Sequence, residues 1–335
     1  MGNLPSNRFS RNLGGMVRFW KTVRSMSVSE IIRESEQVVH IACIGSEDDF
    51  LVLVARLALE TPSPRDGPVG PPDIRPYVDR YSSANDAPAT SIVVDATVFA
   101  AGEGGLAEAL AGIVMDHPEL RLSLARHIPA FRPAVASQLV SEVSWVNAKI
   151  AVLSALPGVI PLTDILLPAA AIGDMMLLTK NQVLLLLRLA AAYGLPVDLR
   201  ARTRELVPIV GGAFGWRAIA RELIGLVPGG IGVVVKGAVA YAGTYTVGKA
   251  AAIYYSTGQS LPKPRLKRLY LDAYQSSINR LKNLWRRNRS LEDLATAIDD
   301  TSHGTQSQSS KADTGAVKNT EEFGSVIDKH VKLGV

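Results

Sequence analysis

The sequence predicts an α+β chain that is predominantly α, with a small α/β unit near the front, an all-α helical domain behind it and a polar tail. Three observations carry this. Only two runs before residue 100, Gln37–Ile44 and Ser91–Asp95, are rich enough in Val and Ile to read as strands. From Pro118 onward strand signals disappear and apolar residues recur at helical spacing. The block from Val146 to Gly258 is a long, thinly charged stretch of Leu, Ala, Val, Ile and Gly, which must bury itself in a helical core, in lipid, or in both.

Residues 1–36 read as a basic amphipathic helical arm, with Met16, Val17, Phe19, Trp20 and Val23 interleaved with Arg18, Lys21 and Arg24. A degenerate α/β unit is expected over 37–118. In it the first strand ends at Gly45, a helix follows over Phe50–Leu59, and the Pro, Gly, Asp and Ser density from Thr61 to Thr90 predicts a long loop. The second strand leads to a helix over Gly105–Met115. An apolar helical domain should fill 119–260, with helices near 119–127, 131–156, 164–193, 199–224 and 230–256 broken at prolines and at Gly194-Leu195-Pro196. A basic amphipathic helix over 261–290 follows, striped by Leu266, Leu269, Tyr270, Ala273, Ile278, Leu281, Leu284 and Trp285. The remainder, 291–335, is polar and reads as a disordered tail.

Of the 335 residues 47% are hydrophobic and only 6% aromatic, and the formal charge is +5. That balance permits an anionic partner. Arg8, Arg11, Arg18, Lys21 and Arg24 all precede the first acid, Glu30. Lys267, Arg268, Lys282, Arg286 and Arg287 belong to a second basic segment opposed within it only by Asp272. The single cysteine, Cys43, excludes an internal disulfide and suits a reducing compartment. The first thirty residues lack the apolar core of a secretory signal.

Three glycine motifs invite a nucleotide, and each departs from the chemistry required. A phosphate loop needs a second glycine, a lysine and a hydroxyl at fixed spacing after Gly45; here those places hold Phe50, Leu51 and Val52, and Glu47, Asp48 and Asp49 occupy the place of the phosphate. Coulomb repulsion opposes a triphosphate there. Gly243-Thr244-Tyr245-Thr246-Val247-Gly248-Lys249-Ala250 spells the loop more literally, but it ends in Ala and lies in a helical pattern. Ala240, Thr244, Gly248, Ala252 and Ser256 recur every four residues there, a small-residue stripe suited to close helix packing. Gly102-Glu103-Gly104-Gly105 lacks the following strand and ribose-binding acid of a dinucleotide site. The histidines His40, His117, His127, His303 and His330 show neither metal-ligand spacing nor a nucleophile–His–acid grouping. No metal, cofactor or catalytic residue is expected.

Insertion arithmetic bears on the apolar block. Over Val159–Leu178, nine strong aliphatics contribute roughly −3 to −5 kcal/mol, while Asp164 and Asp174 near a span centre cost about +5 to +7 kcal/mol. A simple span loses, and Leu223–Gly248 comes out near zero. A helical bundle packed on or partly in the cytoplasmic leaflet, anchored by basic arms at about 1 kcal/mol per cation, is the expectation. A fully soluble cytoplasmic bundle is the alternative.

Pro129-Ala130-Phe131-Arg132-Pro133, Asn147-Ala148-Lys149-Ile150, Leu156-Pro157 and Ile160-Pro161 resemble the entry to an uncharacterised bacterial helical domain, often fused behind Era- or dynamin-like small GTPase domains. Gln182, Tyr193-Gly194, Gly211-Gly212, Pro228-Gly229-Gly230, Thr244, Gly248, Tyr254-Tyr255 and Gly258 continue the likeness over about 120–260. The upstream region resembles that family's GTPase half in layout but lacks its phosphate loop, a D-x-x-G after Asp95, and a base-reading N/T-K-x-D. The resemblance implies a nucleotide-free GTPase-like remnant ahead of the helical domain and an association with membranes. The expected function is thus a non-enzymatic, membrane-associated scaffold or adaptor, with a protein partner or a GTPase as a second partner class. Two alternatives stand beside it: an NTPase using Gly243–Lys249, and a soluble helical protein whose Arg265–Arg289 helix binds nucleic acid.

Overall fold

The computed structural model describes residues 28–58, 73–97, 103–154, 167–198 and 232–287, without the side chains of 103–104 and 167–176. The described chain is predominantly helical with one small parallel sheet. Its elements are α1 (Ser29–Ser35), β1 (Ile41–Ile44), α2 (Glu47–Ala58), β2 (Val78–Tyr81), β3 (Ile92–Asp95), α3 (Glu103–Asp116), α4 (Arg121–His127), α5 (Arg132–Leu153), α6 (Leu167–Ala192), α7 (Gly232–Thr257) and α8 (Lys263–Arg287). The expected arm residues Arg18, Trp20, Lys21 and Arg24, the helix at 199–224, Asp164 and the tail lie outside the described residues.

The sheet runs β2-β1-β3, both pairings parallel, with Ile41 opposite Val78 on one side and Ile92 on the other. A central parallel strand is covered on both faces, and Ile41, Ala42 and Cys43 are at most 1% exposed. Here the sequence expectation needs correcting. The Thr61–Thr90 stretch contains a third strand, β2, rather than only a loop. Val-Asp-Arg-Tyr has one buried residue and two exposed charged ones, so it lacks the aliphatic signal of a strand. Its edge position against β1 makes it one, and that pairing is a long-range event.

The described residues fall into two compact units. The first draws on Met1–Val140, Lys180–Leu206 and Gly248–Pro262, the second on Ser141–Thr179, Val207–Val247 and Lys263–Val335. Each of α5, α6 and α7 therefore contributes one part of its length to each unit.

In the first unit α1 packs on α4, and the Ser123 hydroxyl donates to the Gln37 carbonyl at the approach to β1. Pro129–Phe131 forms a single 3₁₀ turn into α5, and α2 and α3 pack on it. Phe131 is fully buried. Arg132 then reaches back, its Nε donating to Ala125 O at 3.1 Å while its guanidinium lies 5.9 Å from the Tyr193 ring centre. The Pro-Ala-Phe-Arg-Pro run is thus a corner: proline fixes the turn, phenylalanine plugs it and arginine ties its ends. Helix α6 stops where Gly194 takes φ 71°. The Leu195 amide donates to Ala190 O and the Gly194 amide to Ala191 O, both at 2.9 Å, the paired bonds of a Schellman cap. Helix α7 ends similarly, at Gly258 with φ 69°.

The core of the second unit joins Trp145, Ala148 and Val152 of α5, Val234, Ala238, Tyr241 and Ala242 of α7, and Tyr270, Tyr274, Ile278 and Leu281 of α8. Gly237 makes the close approach possible, since a Cβ there would lie 2.9 Å from Val152 Cγ2 and 3.2 Å from Leu281 Cδ1.

Candidate functional site

The turn after β1 is closed by the protein's own groups. Ser46 caps α2: its Oγ accepts from the Asp49 amide at 3.2 Å and donates to Asp49 Oδ2 at 2.6 Å, a variant of the reciprocal capping box. Glu47, Asp48 and Asp49 fill the first turn of α2, where negative charge complements the exposed amides of the helix start. Arg80 from β2 pairs with Glu47 at 2.8 Å. A side chain at Gly45 would meet Ala96 Cβ at 3.0 Å, so glycine lets the turn sit close against Ala96. Phe50 is half-buried, whereas Leu51 and Val52 are exposed on α2. Asp95 accepts from the Thr97 amide at 2.9 Å and its hydroxyl at 2.7 Å, bonds that hold its carboxyl below the usual carboxylate range.

Helix α7 runs unbroken through Gly243–Lys249. The small residues divide by role. Thr244 is buried and its Oγ1 accepts from Asn147 Nδ2 at 2.8 Å; the same nitrogen donates to Leu178 O at 3.3 Å. Gly248 sits under Val140 and Leu185, Ala252 is buried, and Ala240 and Ser256 are half-buried. Gly243 has nothing within 4 Å of an added Cβ. Lys249 lies along the bundle with Nζ 3.4 Å from Ser137 Oγ, and burial pulls its pKa below the ordinary lysine value.

Helix α8 spends its apolar stripe on the core. Tyr270, Ala273, Tyr274, Ser277, Ile278 and Leu281 are buried, and Leu284 and Trp285 pack against them. Trp285 is therefore turned toward protein. Arg265, Arg268, Lys282, Arg286 and Arg287 are exposed and Lys267 is half-buried. Arg280 lies 5.3 Å from the Trp145 ring centre, close enough for a cation–π contact.

One grouping went unseen in the sequence. His40, just before β1, has Nδ1 2.8 Å from Ser91 Oγ and Nε2 2.9 Å from Asp79 Oδ2, a serine–histidine–aspartate contact that the sequence spacing did not reveal. The three residues are separated by 51 and 39 positions, and Asp79 lies on the strand that the sequence concealed. The only available hint was that His40 and Ser91 both lie within predicted strands, each just ahead of the strand observed. Among the described residues no group of three His, Cys, Asp or Glu could hold a metal ion. Comparison of the chain with protein-family models, curated proteins and solved structures gives no match.

Proposed function

We propose that this protein is an adaptor that docks on an anionic membrane surface through the outward face of α8, with its α/β unit serving as a nucleotide-free, GTPase-like platform for a protein partner. The observation that carries the reading is how α8 is divided. Its apolar side is consumed by the core, while seven cations (Lys263, Arg265, Arg268, Arg280, Lys282, Arg286 and Arg287) are exposed and Asp272 is the only acid on the helix. Docking is then electrostatic rather than insertive. Among the described residues no helix is long and apolar enough to cross a membrane. The nucleotide-free assignment rests on the capped, carboxylate-filled turn after β1.

The test is co-sedimentation of the full chain with phosphatidylserine vesicles. Four neutralised charges (Arg268, Lys282, Arg286 and Arg287 each to Gln) remove attraction worth about 1 kcal/mol apiece near the surface. Allowing for salt screening, vesicle affinity should fall roughly a hundredfold. Equal binding by the variant, or tighter binding to duplex DNA than to vesicles, would retire the docking surface. Stoichiometric GTP binding by calorimetry would retire the platform.

A further inference from the structure

We propose that Ser91 is an acyl-acceptor serine, with His40 as its general base and Asp79 as the carboxylate that orients the imidazole. This goes beyond the docking reading and does not depend on it. A carboxylate can only accept, so in the neutral ring Nε2–H donates to Asp79 across 2.9 Å. That leaves the lone pair of Nδ1 facing Ser91 Oγ at 2.8 Å, the relation in which a histidine takes the proton of an attacking hydroxyl. The ring nitrogens are interchanged relative to the serine-protease template, but the sequence of roles is the same. Tyr81 packs edge-on to the His40 ring, 6.1 Å between centres, and the imidazole is only 21% exposed, so the base is held rather than free to swing.

The surroundings limit the chemistry. The Ser91 amide already donates to Pro88 O, and the Ile92 amide to His40 O. The two backbone donors nearest the nucleophile therefore cannot serve as an oxyanion hole, and losing even one such donor costs about 10² to 10³ in rate. The site accepts an acyl group and releases it slowly. In the step, Ser91 Oγ bonds to the carbonyl carbon as its proton passes to His40 Nδ1. The carbon–oxygen bond to the leaving group then breaks, and the imidazolium proton follows the departing alkoxide. Water later returns the acid and the free serine.

Incubating the full chain with p-nitrophenyl acetate should release a burst of one p-nitrophenol per chain, with the acetyl group mapped to Ser91 by mass spectrometry. Ser91→Ala should lose the burst. His40→Gln should slow it by about a hundredfold, within the usual range for a general base. Asp79→Asn, at an exposed position, should slow it about tenfold, less than for a buried orienting carboxylate. If His40→Gln fails to hold its melting temperature, Asp79→Asn decides the matter. Absence of a burst, a burst that persists in Ser91→Ala, or a rate indifferent to Asp79→Asn would overturn the assignment.

Discussion

Two glycines five residues apart on α7 make a sharp test of how this bundle packs. Replacing either Gly243 or Gly248 with alanine gains the same helix propensity, about 0.8–1 kcal/mol. At Gly243 an added Cβ meets nothing within 4 Å, so the gain stands. At Gly248 it would lie 2.7 Å from Val140 Cγ2 and 3.0 Å from both Val140 Cγ1 and Leu185 Cδ2. Neither neighbour can readily yield. Val140 is β-branched on a helix, where one rotamer dominates, and both side chains are 0% exposed. Overpacking of this kind costs about 1–3 kcal/mol. Gly243→Ala should therefore raise the melting temperature by about 2–4 °C. Gly248→Ala should leave it unchanged or lower it by several degrees, the two variants differing by about 1–3 kcal/mol. Thermal unfolding followed by far-ultraviolet circular dichroism reads both. A Gly248→Ala protein as stable as Gly243→Ala would refute the packing argument.

Two further outcomes follow from buried ionisable groups. Burial, with a smaller push from the Asp79 carboxylate, raises the Cys43 thiol to about 12, so a disulfide reagent should modify it only as fast as the protein opens; rapid stoichiometric labelling of the native chain would contradict this. Burial depresses the pKa of Lys249, so the unfolded chain binds more protons between the folded value and the ordinary one near 10.4, and stability rises with pH across that window. Lys249→Met should accordingly stabilise the protein below the window and lose that advantage above it, while a uniform effect at every pH would show that charge burial is not the cause.

Much of the fold could be read locally. Val38–Ile44 and Ser91–Asp95 are aliphatic enough to declare strands, and β1 and β3 lie within them. Gly194 and Gly258 end α6 and α7 because a left-handed residue is the cheapest stop for a helix. The α8 stripe was equally plain. The candidate sites were less legible. Strand β2 carries two charges in four residues, and without it neither the Arg80–Glu47 pair nor the Asp79–His40 bond can be anticipated. The four-residue stripe on α7 includes Gly248, which lies against Val140 and Leu185, but not Gly237, whose neighbours come from α5 and α8.

Amino-acid order alone set roughly where most of the described helices begin and end, which residues must avoid water, and the absence of phosphate-loop residues after Gly45. It did not set what covers each apolar face. Hydrophobic burial has no direction, so the stripe of Tyr270, Tyr274, Ile278 and Leu281 would be satisfied equally by lipid or by another helix. Tertiary packing made that choice, placing the stripe on α5 and α7 and leaving arginine and lysine outside. Parallel pairing across dozens of residues likewise brought Ser91, His40 and Asp79 together, because the partners of a hydrogen bond are fixed by position in space rather than by distance along the chain.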